Sequence, residues 1–252
     1  MTKFAQLIGT LCLLFAAGVS TAEQLMVAVA SNFTATMREL STAFTKESGH
    51  TLNISFGSSG KFYAQIIHGA PFQVFLSADQ SKPEALIEAG FVAPTSRFTY
   101  ALGALALWSP KTDLVDARGD VLSGGNYRKL AIANPLLAPY GAAALDVLRH
   151  LNLEASTRSS WVTGENIAQT YQFVSTGNAE LGFVSLSQIM DQGRLTNGSA
   201  WIVPKDLYRP IKQDAVLLKT SEHNAAAQEF MAFLGSTKAK YIIRSYGYLL
   251  AD

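Results

Sequence analysis

The stretch Gln24-Leu25-Met26-Val27-Ala28-Val29-Ala30, followed by Ser31-Asn32-Phe33, decides the fold class. The unbroken apolar run after Gln24 reads as a strand buried on both faces. Beyond it, Phe33, Met37, Leu40 and Phe44 recur at spacings of four, three and four, which places them on one face of a helix. Strand, turn and helix then repeat. Residues 52–56 form the next strand, Gly57-Ser58-Ser59-Gly60 the turn, and Phe62, Ile66 and Ile67 the apolar face of a short helix stopped by Gly69 and Pro71. A chain that alternates in this way makes helical crossovers, so the sheets are expected to be mainly parallel and covered by helices.

Outward from this nucleus the pattern continues. Further strands are expected at 74–77, 101–108, 130–133, 181–184, 200–203 and 215–218. Helices are expected at 141–151, 165–176 (closed by Gly177), 187–192 (closed by Gly193) and 224–234. The 252 residues are 48% hydrophobic and 15% charged, too apolar for a disordered chain and long enough for two α/β lobes. The formal charge of +1 leaves no cationic excess for phosphate contacts, so a nucleic-acid partner is not expected.

The first 22 residues read differently. Lys3 precedes an apolar core from Leu7 to Val19, interrupted by Gly9 and Gly18, and Ser20-Thr21-Ala22 supplies small residues at a cleavage site. This is the pattern of a secretory leader cut after Ala22, and the core falls short of the roughly 20 apolar residues of a membrane span. Cleavage removes Cys12, the one cysteine, so no disulfide or thiolate chemistry is expected afterwards. Cys12 follows Leu11, where a lipid-anchor pattern wants a small residue.

Enzymatic signatures are weak. His50, His68, His150 and His223 are far apart, none is in metal-ligand spacing, and His50 and His68 read as surface histidines near helix ends. Gly57 to Lys61 misses both the Gly-x-Ser-x-Gly elbow and the Walker loop, whose hydroxyl position holds Phe62. What recurs is a polar turn entering a helix: Ser31-Asn32, Gly57-Ser58-Ser59-Gly60, Asn134-Pro135-Leu136-Leu137-Ala138-Pro139-Tyr140-Gly141 and Gly164-Glu165-Asn166-Ile167. Ser31, Ser59 and Asn166 are the cap-region residues. Each helix start offers unpaired N–H groups and the positive end of the backbone dipole, hence affinity for anions without a formal cation. Every α/β protein has such caps, so the turns by themselves fix no ligand.

At these turns the sequence resembles the periplasmic molybdate-binding proteins of ABC transporters, within the two-lobed solute-binding class. The resemblance is carried by Val27 through Phe33, by Ser55-Phe56-Gly57-Ser58-Ser59-Gly60, by Gly69-Ala70-Pro71-Phe72-Gln73-Val74-Phe75-Leu76-Ser77-Ala78-Asp79, by Asn134 through Gly141, by Gly164-Glu165-Asn166-Ile167, by Gly177 through Val184 and by Tyr246-Gly247-Tyr248. It implies a type II periplasmic binding fold: leader 1–22, first lobe 23–102, second lobe 103–210, and 211–252 back in the first lobe, with the ligand in the interlobe cleft. It further implies that molybdate or tungstate is held by the hydroxyls of Ser31 and Ser59, the backbone N–H groups of Asn32, Ala78 and Ile167, and the phenol and N–H of Tyr140. No catalytic residue, cofactor or direct cation ligand is implied. The partner implied is a membrane permease with its ATPase, served from the periplasm by a monomer. The alternatives are a sulfate or phosphate binder of the same fold and, in another class, an exported hydrolase using Ser59 or Ser31, against which the lack of an ordered His and Asp argues.

Two positions depart from the family pattern. Ser185 stands where some members have a tyrosine, so Tyr140 is expected to supply the phenol. Gln73 stands where Asp is usual, a change expected to touch turn or hinge geometry more than binding. Asp79 and Glu165 are the nearest acids and are expected to pair or cap outside the cleft, because a carboxylate facing a dianion is repulsive.

Overall fold

The computed structural model describes residues 22–125 and 127–250. The expected leader, apart from Ala22, lies outside the described residues, as does Cys12. The strands are β1 (Gln24–Ala30), β2 (Thr51–Gly57), β3 (Val74–Leu76), β4 (Phe98–Gly103), β5 (Leu105–Ser109), β6 (Leu130–Ala133), β7 (Trp161–Gly164), β8 (Leu181–Ser185), β9 (Met190–Asp191), β10 (Arg194–Leu195), β11 (Ser199–Ile202) and β12 (Ile211–Leu217). The helices are α1 (Thr34–Ser48), α2 (Ser59–Ile67), α3 (Ser81–Glu88), α4 (Val121–Gly124), α5 (Pro139–His150), α6 (Glu154–Thr157), α7 (Ile167–Ser175), α8 (Ala225–Leu234) and α9 (Thr237–Ser245).

Two five-stranded sheets result, in the orders β2-β1-β3-β12-β4 and β11-β5-β8-β6-β7. The strands whose alternation with helices was legible, β1 to β3 and β6 to β8, pair in parallel. In each sheet one strand runs against the rest: β12, between β3 and β4, and β5, between β11 and β8. The fold is therefore α/β with two helix-flanked sheets. The chain leaves the first sheet after Gly103 and re-enters it at Ile211.

The apolar periodicity of α1 has its expected consequence. Phe33, Met37, Leu40 and Phe44 are all buried and pack under β1 with Phe230 and Ile243 of the C-terminal helices. Four fully buried side chains of this size, at about 1.5–3 kcal/mol each, make this face a main fastening of the first sheet. A second cluster around Leu107, Ile132, Val147 and Phe183 fastens the other sheet. Among the described residues no helix is long and apolar enough to cross a membrane.

Three expectations are corrected. The strand expected at 101–108 is two strands, broken at Ala104, which belong to different sheets. The helix expected at 187–192 is one short turn over Leu186–Gln188 and then the β9–β10 hairpin. Gln192 and Gly193 have φ of 47° and 78°, the left-handed pair that a two-residue hairpin loop requires, so the glycine read as a helix stop is the hairpin turn. His50 is buried, not on the surface: its Nδ1 accepts from the Glu23 N–H at 3.0 Å and its Nε2 lies 3.4 Å from Glu229.

Candidate functional site

Four strand-to-helix turns, two from each sheet, converge on one small cavity. The turn leaving β1 contributes Ala30, Ser31 and Asn32; the turn from β2 into α2 contributes Gly57, Ser58 and Ser59. From the other sheet come Ala138, Pro139 and Tyr140 at the start of α5, and Asn166 and Ile167 at the start of α7. Ala78 closes the ring. All six residues expected to hold the oxyanion, Ser31, Asn32, Ser59, Ala78, Tyr140 and Ile167, therefore line one space, and all are buried.

The local chemistry follows from helix starts. Ile167 opens α7, and the Asn166 side chain accepts from Ala168 and Gln169 at 3.0 Å each, so the Ile167 N–H has no intrahelical partner. Pro139 opens α5 with no N–H to lose, and Tyr140 follows with an unpaired one. Ser59 opens α2; its Oγ accepts from the Ala78 N–H at 2.9 Å, so these two expected donors serve each other in this state. Ser58 occupies the cap position of α2 without capping it, and its buried Oγ has no partner among the described residues. The Tyr140 phenol oxygen is likewise buried and unpartnered. An unpaired buried hydroxyl costs about 1–3 kcal/mol, so these two, both carried by residues that line the cavity, favour a polar partner.

No charged side chain of the described residues lines this cavity. Asp79 is held outside by Lys82 at 2.7 Å and by Ser77, and Glu165 by Lys61 at 3.0 Å. Burial pushes the Tyr140 phenol well above the ordinary tyrosine range, with the nearby Tyr248 adding to the shift, so it is a protonated donor at neutral pH. Beside the cavity lies a wider open groove lined by the ion pairs Asp79–Lys82 and Asp146–Arg209 and also by Glu84 and Lys212.

The sheets touch across the cavity. Ser31 Oγ donates to Asn166 Oδ1 at 3.2 Å, the Gly60 N–H donates to the Leu137 carbonyl at 2.9 Å, and Lys61 and Glu165 bridge the rim. A methyl group on Gly60 would lie 3.0 Å from Leu137 O and 3.1 Å from its Cα, so glycine is what permits this approach. The arrangement is a closed cleft.

The two departures from the family pattern have structural answers. Gln73 Oε1 accepts from the Met26 N–H at 2.8 Å and ties the start of β3 to β1, away from the cavity. Ser185 caps the turn at Leu186–Gln188 and exchanges a 2.8 Å hydrogen bond with Ser187. The amide of Asn32 points away from the cavity: Nδ2 donates to Gln213 at 2.7 Å and to Tyr248 at 2.9 Å. Sequence reasoning missed Ser58, whose only signal was its place beside Ser59, and Gln213, which gave none.

Comparison with known proteins adds an independent finding. The family model described as bacterial extracellular solute-binding protein matches residues 25–249. The molybdate-binding protein ModA of Azotobacter vinelandii is 52% identical over 227 residues, 90% of each chain. The ModA of Rhodobacter capsulatus is 46% identical over 254 residues, 99% of each chain. The solved structure of the Azotobacter vinelandii periplasmic molybdate-binding protein superposes with a TM-score of 0.88 at 44% identity, covering 90% of this chain and all of that one.

Proposed function

The chain belongs to the bacterial extracellular solute-binding protein family, and on that premise we propose that it captures molybdate, and tungstate with it, in the closed cleft between its sheets. It is a binding protein and not an enzyme, and the relatives it matches are molybdate-binding proteins. The observation that carries the reading is the cavity itself: buried, free of charged side chains among the described residues, and rimmed by four helix starts. In the proposed site Ser31 and Ser59 donate through their hydroxyls, Asn32, Ala78 and Ile167 through backbone N–H groups, and Tyr140 through its phenol and its N–H.

The physics favours such a shell. A tetrahedral dianion loses much hydration energy on burial, and a full set of directed donors offsets it. Neutral donors make selectivity depend on size and direction. A larger oxyanion spans donors from both sheets, while sulfate leaves some unpaired at a cost. Hydrogen phosphate brings a proton to a shell that offers mostly donors. Because the donors are split between the lobes, binding favours the closed form. The lobes in this proposal are 23–102 with 211–252, and 103–210, which the sheet membership of the strands supports. The loaded monomer then presents the anion, in the periplasm, to a membrane permease driven by its ATPase.

A thermal-shift panel of molybdate, tungstate, sulfate, phosphate and chromate on the purified chain tests the reading. A ligand at 100 times its dissociation constant adds about 2.7 kcal/mol of stability. Molybdate and tungstate are expected to raise the melting temperature at micromolar concentration and the other anions to do so only weakly. A shift with sulfate or phosphate as large as that with molybdate would overturn the assignment.

A further inference from the structure

Among the buried polar atoms left without a partner, Tyr140 Oη and Gln213 Nε2 face the same glycine. A methyl group on Gly103, the last residue of β4, would come within 2.2 Å of the phenol oxygen and 3.1 Å of the amide nitrogen. The missing side chain at Gly103 thus leaves room for the phenol, entering from the second sheet, beside the amide of β12 on the first, although the two atoms make no hydrogen bond in this state. The other end of that amide is fixed. Gln213 Oε1 accepts from Asn32 Nδ2 at 2.7 Å and from Tyr100 Oη at 3.2 Å, which leaves the Nε2 hydrogens directed elsewhere.

Asn32 lines the anion cavity, and its side chain is tied in turn to Tyr248, whose hydroxyl donates to the Asn32 carbonyl at 2.8 Å and meets Ser187 at 2.9 Å. Gln213 sits at a register shift in the pairing of β12 with β4, where the chain re-enters the first sheet. The amide therefore joins the hinge to the cavity.

We propose that Gln213 is a positioning residue for the oxyanion site: in the loaded protein its Nε2–H donates to Tyr140 Oη, so that the phenol turns its own hydrogen to the anion. The phenol oxygen then accepts one bond and makes another, and each strengthens its neighbour in a site shielded from water. A phenol without this partner is free to rotate its hydrogen away, which the dianion must correct on binding. This inference rests on Tyr140 being a donor to molybdate.

A double-mutant cycle separates the two claims. Molybdate is titrated by calorimetry into the wild-type chain, Tyr140→Phe, Gln213→Leu and the double variant, with Gln213→Met in place of Leu if that variant does not fold. Tyr140→Phe is expected to weaken binding roughly 10- to 160-fold, the range for a hydrogen bond to a charged group. Gln213→Leu is expected to weaken it about 2- to 13-fold more when Tyr140 is present than in the Tyr140→Phe background, as loss of one neutral hydrogen bond that acts through the phenol, while the loss of the bond from Asn32 Nδ2 is common to both. An equal factor in both backgrounds would show that Gln213 only supports the fold, and tighter binding by Gln213→Leu would show that the amide competes for the phenol hydrogen; either overturns the proposal. A Tyr140→Phe variant that binds as wild type would instead remove the donor role of Tyr140 on which the proposal stands.

Discussion

Gly60→Ala separates lobe closure from lobe stability, because the two should move in opposite directions. Gly60 is the second residue of α2 and its φ is not in the left-handed region, so alanine fits the local backbone. Replacing glycine by alanine at a compatible site adds about 0.4–1 kcal/mol, chiefly by restricting the unfolded chain. In the closed cleft, however, the new methyl would stand 3.0 Å from Leu137 O and 3.1 Å from Leu137 Cα, both backbone atoms of the facing segment. These must retreat by a few tenths of an ångström, which stretches the 2.9 Å bond from Gly60 N–H to Leu137 O. Losing that bond costs about 0.5–1.5 kcal/mol of closure, or roughly a 2- to 13-fold weaker molybdate affinity. With the lobes apart this contact is absent, so it bears on closure and not on the stability of either lobe. Calorimetric titration should thus show weaker binding while the melting temperature without anion holds or rises. Affinity within twofold of wild type, or a lower melting temperature in the free protein, would refute the closure argument.

Ser31→Ala and Ser59→Ala should each weaken molybdate binding by about 1.5–3 kcal/mol with the fold retained, as read by the same titration. Ser185→Ala should leave affinity nearly unchanged while lowering thermal stability, because its hydroxyl caps the turn at Leu186–Gln188 and bonds Ser187 instead of facing the anion. Affinity should stay flat from about pH 6.5 to 8.5, since the proposed shell holds hydroxyls, N–H groups and a phenol that burial pushes well above the ordinary tyrosine range. Burial raises Tyr100 and Tyr140 well above the ordinary tyrosine value and Tyr248 to about 12, so the folded chain keeps protons that the unfolded chain gives up. Their contribution is complete below about pH 10 and is lost above it, at up to about 1.4 kcal/mol per pH unit for each phenol; denaturant titrations between pH 8 and 11 would show the decline, and Tyr248→Phe should make it shallower.

The sequence made the parallel core readable because burial on both faces leaves a continuous apolar run, and β1 and β6 lie where such runs stand. It hid the break at Ala104 because Tyr100 and Ala101 in the middle of β4 are buried and β5 is buried throughout, so apolarity continues straight through the passage from one sheet to the other. Turns before helices could be found, but which serine begins a helix could not. Ser58 and Ser59 are chemically alike, and only the fold assigns the cap position to one and the first helical turn to the other. Gln213 was invisible in a different way. Nothing about a lone glutamine in a strand predicts that its amide bonds Asn32 and Tyr100 and shares the space over Gly103 with a phenol from the other sheet, because those residues are brought together only by the return of the chain. The helices α3 and α9 were passed over because each is short and interleaves charged residues with few apolar ones.

The most direct test is a crystal structure of the molybdate-loaded protein with anomalous scattering recorded at the molybdenum edge, which locates the ion without reference to any expected site. The account predicts one strong peak in the cavity between the sheets, its oxygens about 2.5–3.2 Å from the hydroxyls of Ser31, Ser59 and Tyr140 and from N–H groups including that of Ile167. It also predicts that no carboxylate, lysine or arginine touches the anion. A peak in the open groove beside Lys82 and Arg209, or a first shell built on either charge, would contradict the neutral-donor site.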